Sequence, residues 1–383
     1  MDSITTPVQA VSSAQEEIVR AIGDQFAIEG EFVRGQEVPS GHINSTYVVT
    51  YEVPDNLERR YILQRINEQV FKDPLAVMRN VECVTHHIIW KVLRVKKDLG
   101  GQTLSLYPHK TGRFYVQGEA GGVWRCYNFL EGCQTYDVVE NTRQAYEAGH
   151  AFGAFQDLVS DLPAEEVVET IPDFHHTRKR FEALMGAVRD DAAGRVAGVE
   201  DELEFIREQE GVVDRLLKLQ ASGEIPTRIT HNDTKINNVL FDVETDEAVC
   251  VIDLDTVMPG LSLYDFGDLV RTATNPAEED ERDLGKVEMR SGIFEALVEG
   301  YLASAGDVLN DAEVAHLAFS GRLIALELGM RFLGDHLNGD RYFRVHRPGH
   351  NLDRARTQLK LARCIEQCEG EMANFVRKVA KSR

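Results

Sequence analysis

The sequence predicts an α+β protein of two lobes: a small β-rich N-terminal lobe over residues 1–131, led by a helix, and a larger, mainly helical C-terminal lobe over residues 132–383. Three observations carry this expectation. The chain has 383 residues, more than one hydrophobic core ordinarily organises. Its first third holds short alternating stretches at Glu31–Val38, Thr46–Val53 and Arg60–Ile66, with two further strand-like runs at Arg113–Val116 and Val123–Phe129, and a period of two is the mark of strand. Past a break at Glu131–Gly132–Cys133, from Tyr136 onward, the apolar spacing becomes three and four, the period of helix.

The other elements follow in chain order. Residues Ala14–Ile28 read as an opening amphipathic helix behind a polar, frayed tail. A helical pattern over Pro74–Arg94 separates the third strand from the fourth. Asp161–Pro172, acidic and bounded by Pro163 and Pro172, reads as a linker. Helical text resumes over Thr177–Arg189 and Glu200–Ala221, and Pro226 ends it. Two compact strand pairs follow near Ile229–Phe241 and Ala248–Leu254. The acidic run Glu278–Asp283 reads as a solvated helix start, ahead of helices over Leu284–Ser304, Ala312–Leu337 and Leu352–Lys381.

Composition narrows the partners. Lys and Arg number 42 against 63 Asp and Glu, for a net charge of −21. Such an acidic surface repels nucleic-acid phosphates and anionic membranes, so neither is expected as a partner. No apolar run approaches the ~20 residues of a membrane-spanning helix, and the N-terminus shows neither a basic n-region nor an apolar h-region. A cytoplasmic location, and a monomer rather than an oligomer, are the expectations. The six cysteines are scattered, and Cys364 and Cys368, four apart, read as packing residues rather than ligands.

The densest polar cluster lies in Ile229–Phe241, where His231, Asp233 and Asn238 form the pattern His-x-Asp-x-x-x-x-Asn between apolar stretches. Twenty residues after Asp233, an apolar strand ends in Asp253. Taken singly, Asp233 and Asn238 read as turn caps and Asp253 as a strand end. Together and in this order they are the set that phosphoryl transfer requires. One carboxylate takes the hydroxyl proton and orients the nucleophile, while an amide oxygen and a second carboxylate hold Mg²⁺ on the triphosphate. His231 reads as a brace of the loop. Asp265-Phe-Gly267 spells a kinase metal tripeptide but lies 32 residues beyond Asp233. Asp265 and Asp268 therefore read as helix-capping or loop-bracing carboxylates, and Asp255 as a residue standing behind the metal.

The segments His231-Asn-Asp-Thr-Lys-Ile-Asn-Asn238, Ile252-Asp-Leu-Asp-Thr256 and Tyr264-Asp-Phe-Gly-Asp268 resemble the aminoglycoside phosphotransferase and choline-kinase superfamily. Gly41-His-Ile-Asn-Ser-Thr-Tyr47, Tyr61-Ile-Leu-Gln64, Met78-Arg-Asn-Val-Glu82 and Gly329-Met-Arg-Phe-Leu333 extend the likeness over nearly the whole chain. Within the superfamily it most resembles the bacterial N-acetylhexosamine 1-kinases. The resemblance implies a protein-kinase-like fold with ATP in the cleft and Mg²⁺ on Asn238 and Asp253. It implies His42, Asn44, Ser45 and Thr46 near the phosphates, Gln64 on the next strand, and Asn128 near the adenine. Asp233 becomes the catalytic residue and, with Arg331 and Tyr342, a contact of the sugar.

The implied reaction transfers the γ-phosphate of ATP to the anomeric 1-hydroxyl of N-acetylglucosamine or N-acetylgalactosamine. The alternatives are another acceptor of the superfamily, namely an aminoglycoside, choline, homoserine or a different sugar, or a pseudokinase that binds nucleotide without turnover. There is one departure. The superfamily usually offers Lys or Arg where Gln64 stands, Arg65 points to the opposite face of the strand, and Glu82 is left without its expected partner. Plainer readings stand beside these: Arg331 as a helix ion pair with Glu327, and Val123–Phe129 as an ordinary buried strand.

Overall fold

The computed structural model describes residues 8–39, 43–95, 103–118 and 121–383. The chain opens with strand β1 (Gln9–Ala10), helix α1 (Ser13–Gly23), strands β2 (Glu31–Glu37), β3 (Ser45–Val53) and β4 (Leu57–Arg65), helix α2 (Pro74–Val95), and strands β5 (Val116–Gln117) and β6 (Val123–Asn128). The strands form one antiparallel sheet in the order β1-β2-β3-β4-β6-β5. Its register sets Thr46 opposite Gln64 and Gln64 opposite Arg125. The tail expected to fray is paired from Gln9 onward, with Gln9 opposite Glu37. Helix α1 is capped by the Ser12 side chain, which accepts from the Gln15 backbone N–H at 3.3 Å. It lays Val19 and Ile22 on Tyr51, Leu63, Trp124 and Cys126. It stops at Gly23, short of the Ile28 that periodicity suggested, because Phe26 bridges to His109 and the Ala27 N–H donates to Pro108 O at 2.8 Å. Tertiary pairing overrides local helical preference there.

Two compact units divide the chain. The first gathers residues 1–135, 161–171 and 238–258; the second gathers 136–160, 172–237 and 259–383. The first unit therefore interleaves with the second along the sequence, where the sequence reading places a single cut between 131 and 132. In the first unit a small antiparallel sheet is made by the hairpin of Val239–Asp242 and Ala248–Val251, with Cys133–Gln134 along its other side. The segment read as a linker is pinned to α2. Asn80 donates to Val168 O at 2.7 Å and accepts from the Val168 N–H at 3.0 Å, while His87 and Lys91 meet Asp161 at 3.0 and 2.8 Å.

The second unit is helical: α3 (Thr142–Leu158), α4 (Thr177–Asp190), α5 (Glu200–Glu208), α6 (Arg215–Ser222), α7 (Ser262–Thr274), α8 (Ser291–Ala305), α9 (Asp311–Leu337) and α10 (His350–Lys381). Helices α3 and α8 approach so closely that a Cβ on Gly300 would lie 2.0 Å from Tyr146 O, so only glycine fits that crossing. The run read as one helix over Glu200–Ala221 is broken by a 3₁₀ turn at Gln209–Val212. The acidic run Glu278–Asp283 starts no helix; a 3₁₀ turn at Leu284–Lys286 follows it, and α8 begins at Ser291. Helix α7 lies outside the helices expected from the sequence, although Asp265, Asp268 and Arg271 fall at helical spacing; this polar stripe is turned inward, onto the 231–234 turn, and not to solvent. Among the described residues no helix is long and apolar enough to cross a membrane.

Candidate active site

In the second unit, strand Arg228–Thr230 runs into the turn that bears Asp233. Glu313 anchors the approach from both sides. Its carboxylate takes two hydrogen bonds from Arg228, at 2.7 and 2.8 Å, and one from the Ser262 hydroxyl at 2.7 Å. The same Glu313 accepts from the Asn310 N–H and closes the capping box of α9. Past Thr230 the chain turns sharply, with Asn232 at a left-handed φ of 64°, a conformation that asparagine tolerates better than most residues. The Asn232 side chain bonds back to Thr230, accepting from its hydroxyl at 3.0 Å and donating to its carbonyl at 3.1 Å.

Two acids on α7 then hold the turn. Asp265 accepts the backbone N–H groups of His231 and Asn232, at 2.8 and 2.7 Å, and the Gln156 amide at 3.2 Å. Asp268 accepts the Thr234 N–H at 3.0 Å and pairs with Arg271 at 2.8 Å. The reading of both as braces of the loop is what their contacts describe. His231 lies edge-on to Phe152 and Phe155 and accepts the Asp233 N–H through Nδ1 at 3.3 Å. Burial pushes the Asp265 carboxyl up to about 6, against the pull of His231 and the backbone donors. Asp265→Ala is expected to cost on the order of 3 kcal/mol of stability, since two backbone N–H groups would be left unpaired in the interior, while the Gln156 amide keeps its bond to Ile229 O at 2.9 Å. The thermal midpoint measures this, and a loss under about 1 kcal/mol would show that the loop stands without it.

Asp233 itself keeps 22% of its side chain exposed, and its carboxylate meets the Lys235 ammonium at 3.2 Å. Burial opposes its charge, but Lys235, His231 and Arg271 outweigh that and hold the carboxyl below its ordinary range. It is an ionised acid at neutral pH, on a turn that the interior fixes.

A second polar network fills the first unit. Arg125 on β6 is fully buried and forms an ion pair with the equally buried Asp255. Its Nε and Nη2 donate to Gln64 Oε1 at 3.0 and 2.8 Å, and Gln64 donates in turn to the Thr46 hydroxyl at 3.0 Å. The Asn44 amide donates to Asp255 at 2.6 Å while its oxygen accepts the Asn67 N–H at 3.0 Å. Burial works against the Arg125 charge, and Asp255 more than restores it, holding the guanidinium above its usual range. Asp253 follows strand Ala248–Val251 and heads the 3₁₀ turn Leu254–Thr256, in left-handed conformation at φ 61°. The Ile252 N–H donates to Asn238 O at 2.9 Å, which brings Asn238 beside the residue preceding Asp253. An amide oxygen and a carboxylate are donors of the kind that a hard cation such as Mg²⁺ takes.

A profile of the phosphotransferase enzyme family (APH) matches residues 34–308, a span that takes in the Arg125–Asp255 network and the Asp233 turn alike. The chain belongs to the phosphotransferase enzyme family. Solved structures of similar fold include an aminoglycoside phosphotransferase from Alicyclobacillus acidocaldarius subsp. acidocaldarius, 12% identical, with 98% of each chain covered and a TM-score of 0.59. Spectinomycin phosphotransferase in complex with ADP and spectinomycin is 14% identical over 94% of this chain and 100% of that one, at a TM-score of 0.54. A microcompartment-associated aminopropanol kinase is 16% identical over 93% and 98%, at 0.53. At such identities the likeness is one of fold, the two-lobed protein-kinase-like fold expected from the sequence.

Two residues of this phosphotransferase escape the sequence reading. Arg125 supplies a cation beside Gln64, from the neighbouring strand rather than the next residue. Arg65, on the other face of β4, packs over Gly122 instead. Lys235, two residues past Asp233, supplies that carboxylate with its nearest positive charge. The other expected site residues are placed as follows. The Asn128 side chain accepts the Ser105 N–H at 2.7 Å and donates to Thr103 O at 3.0 Å, so it holds the 103–105 segment. Ser45 begins β3 opposite Arg65, and His42 lies outside the described residues. Arg331 makes no ion pair with Glu327, which bonds to His175 at 2.9 Å; its guanidinium stacks over Phe174 and Phe343 at 5.2 and 5.7 Å. Tyr342 is 68% exposed, and the N–H groups of Arg341, Tyr342 and Phe343 are gathered on Asp335 at 2.8–2.9 Å.

Proposed function

We propose that the protein is an ATP- and Mg²⁺-dependent small-molecule kinase that phosphorylates the anomeric 1-hydroxyl of N-acetylhexosamines. The observation that carries the kinase reading is Asp233: ionised, partly exposed, and set on a turn whose backbone is held by Asp265 and Asp268. Such a carboxylate accepts the hydroxyl proton and aims the oxygen at a phosphoryl group. In the first unit Asn238 and Asp253 would hold Mg²⁺, which when bound offsets the negative charge of the triphosphate. Because the side chains of Asn44, Thr46 and Gln64 are spent on one another and on Arg125 and Asp255, phosphate contacts around residues 43–46 would come from main-chain amides. The buried Arg125 counts against a pseudokinase, since the cation missing at position 64 has a counterpart beside it.

The sugar reading rests on the resemblance together with Arg331. A guanidinium that is stacked on two rings and spared an internal carboxylate is available to donate to a carbonyl or hydroxyl of the acceptor. A screen of N-acetylglucosamine, N-acetylgalactosamine, choline, homoserine, aminopropanol and an aminoglycoside with ATP and Mg²⁺, reading product by ³¹P NMR, tests it. An anomeric phosphate on an N-acetylhexosamine is the expected product. Asp253→Ala is expected to abolish turnover in a folded protein. Arg331→Ala is expected to raise KM for the sugar roughly 10- to 150-fold, the cost of losing a charged donor, and to leave KM for ATP in place. Faster turnover of choline or the aminoglycoside would end the sugar reading and leave the family in place.

A further inference from the structure

We propose that Arg180 is a second guanidinium of the acceptor site and that, together with Arg331, it confines the site to acceptors that are uncharged or anionic where the two arginines meet them. This rests on the reading of Arg331 as a residue that faces the acceptor. Arg180 comes from α4 and Arg331 from α9, and both converge on Phe174. Arg331 stacks on its ring at 5.2 Å, and Arg180 donates Nη2 to its carbonyl at 2.9 Å. Among the described residues the buried Arg180 Nε has no hydrogen-bond partner, and the Arg331 side chain has neither a hydrogen bond nor an ion pair.

The carboxylates nearby do not neutralise them. Glu327 bonds to His175 through Oε1, while its Oε2 is buried without a partner, and Asp173 is taken by Lys179 at 2.7 Å. Burial and the neighbouring Arg331 together disfavour the Arg180 charge, with Glu327, Tyr342 and Asp173 drawing the other way. Two half-buried like charges with a donor left over are costly to fold around, and a ligand bearing carbonyl, hydroxyl or anionic oxygens relieves that cost.

The pair also stands close to the chemistry. Phe174 packs on His175 at 4.6 Å, and a His175 ring nitrogen lies 3.4 Å from Asn232 O, the residue before Asp233. An acceptor hydroxyl delivered to Asp233 would thus bring its remote groups toward the two guanidinium groups. An ammonium there would meet like charge; among the described carboxylates beside the pair, Asp173 is taken by Lys179 and Glu327 keeps one oxygen unbonded. The chain as a whole, at −21, attracts cations; the arginine pair acts locally against that field.

The test compares N-acetylglucosamine with glucosamine at pH 6, where a protonated amine stands in place of the neutral acetamide. Wild-type kcat/KM is expected to favour the acetamide by roughly 100-fold or more. Arg180→Met is expected to raise KM for N-acetylglucosamine about 10-fold with KM for ATP unchanged, and to narrow the discrimination. Arg180→Lys, which keeps the charge and loses the planar fork, is expected to retain the discrimination while weakening binding. Thermal midpoints with and without each sugar give a binding readout free of turnover and show that the variants fold. The proposal is overturned if glucosamine is used as well as the acetamide, or if Arg180→Met leaves both KM and discrimination at wild-type values. Should neither sugar react, the same variants are assayed on aminopropanol and propanediol. Preference for the diol that depends on Arg180 supports the charge rule while the sugar reading fails, and preference for the amine sinks the rule and leaves the phosphotransferase family untouched.

Discussion

Asp233→Asn is expected to lower kcat by on the order of 10³ or more while the fold and nucleotide affinity survive. The substitution keeps the size of the side chain and its place on the turn, which Asp265 and Asp268 secure through backbone N–H groups rather than through Asp233 itself. What it removes is the proton acceptor and the charge that aims the acceptor oxygen. Because Lys235, His231 and Arg271 hold the carboxyl below its ordinary range, Asp233 stays ionised throughout the neutral and mildly acid range. Activity that depends on it is lost only as pH falls through that folded value, so no acid limb from Asp233 is expected between pH 5 and 8. Turnover by Asp233→Asn within tenfold of wild type, measured with saturating ATP and acceptor, would take Asp233 out of the mechanism.

Arg125→Met should be the most destabilising single change in the first unit, at roughly 3–5 kcal/mol, because it strands Asp255 as a buried charge. Both partners are all but sealed, at 1% and 3% side-chain exposure, so solvent screening gives little relief. The loss reads out as a fall of roughly 10 °C in the thermal midpoint. The double change Arg125→Met with Asp255→Leu should recover most of it, since replacing a buried pair by packed apolar groups is often neutral. A single mutant as stable as wild type would mean that the pair is solvated. A double mutant no better than the single would mean that Gln64 and Asn44, not charge, account for the cost.

What could be read from the sequence follows the range of the interactions involved. The strands β2, β3 and β4 and the helices α2 and α10 announce themselves by their periodic patterns, β6 as a short apolar run, and α9 as a long apolar stretch without Pro. The Asp233 turn is equally legible as a polar loop between apolar strands, since its spacing to Asn238 and Asp253 is short. Helix α7 is not, because its acids Asp265 and Asp268 read as braces of a loop, and that they do so from within a helix, buried beside Leu263 and Phe266, is set by contacts with the 231–234 turn, 34 residues away. Arg125 is hidden for a related reason. Its partner Asp255 is 130 residues away (255 − 125), and an arginine between Trp124 and Cys126 reads as an interruption of an apolar strand until the register sets it beside Gln64. Arg180 gives no signal at all in one dimension, as its significance lies in what does not pair with it.

Glu313 has a bearing on how the chain is made. Its bonds reach back 85 residues to Arg228 and 51 to Ser262, so a nascent chain exposes the Asp233 turn well before the carboxylate that anchors it has been synthesised. At ~5–20 residues per second, the turn waits several seconds for its anchor. During that interval Arg228 has no internal partner from α9 and the start of α7 is untied. A chain truncated before α9 would carry the turn and its braces on α7 and lack the carboxylate that ties the entry strand to α7, so a premature stop in that stretch would leave Arg228 and Ser262 without their shared partner.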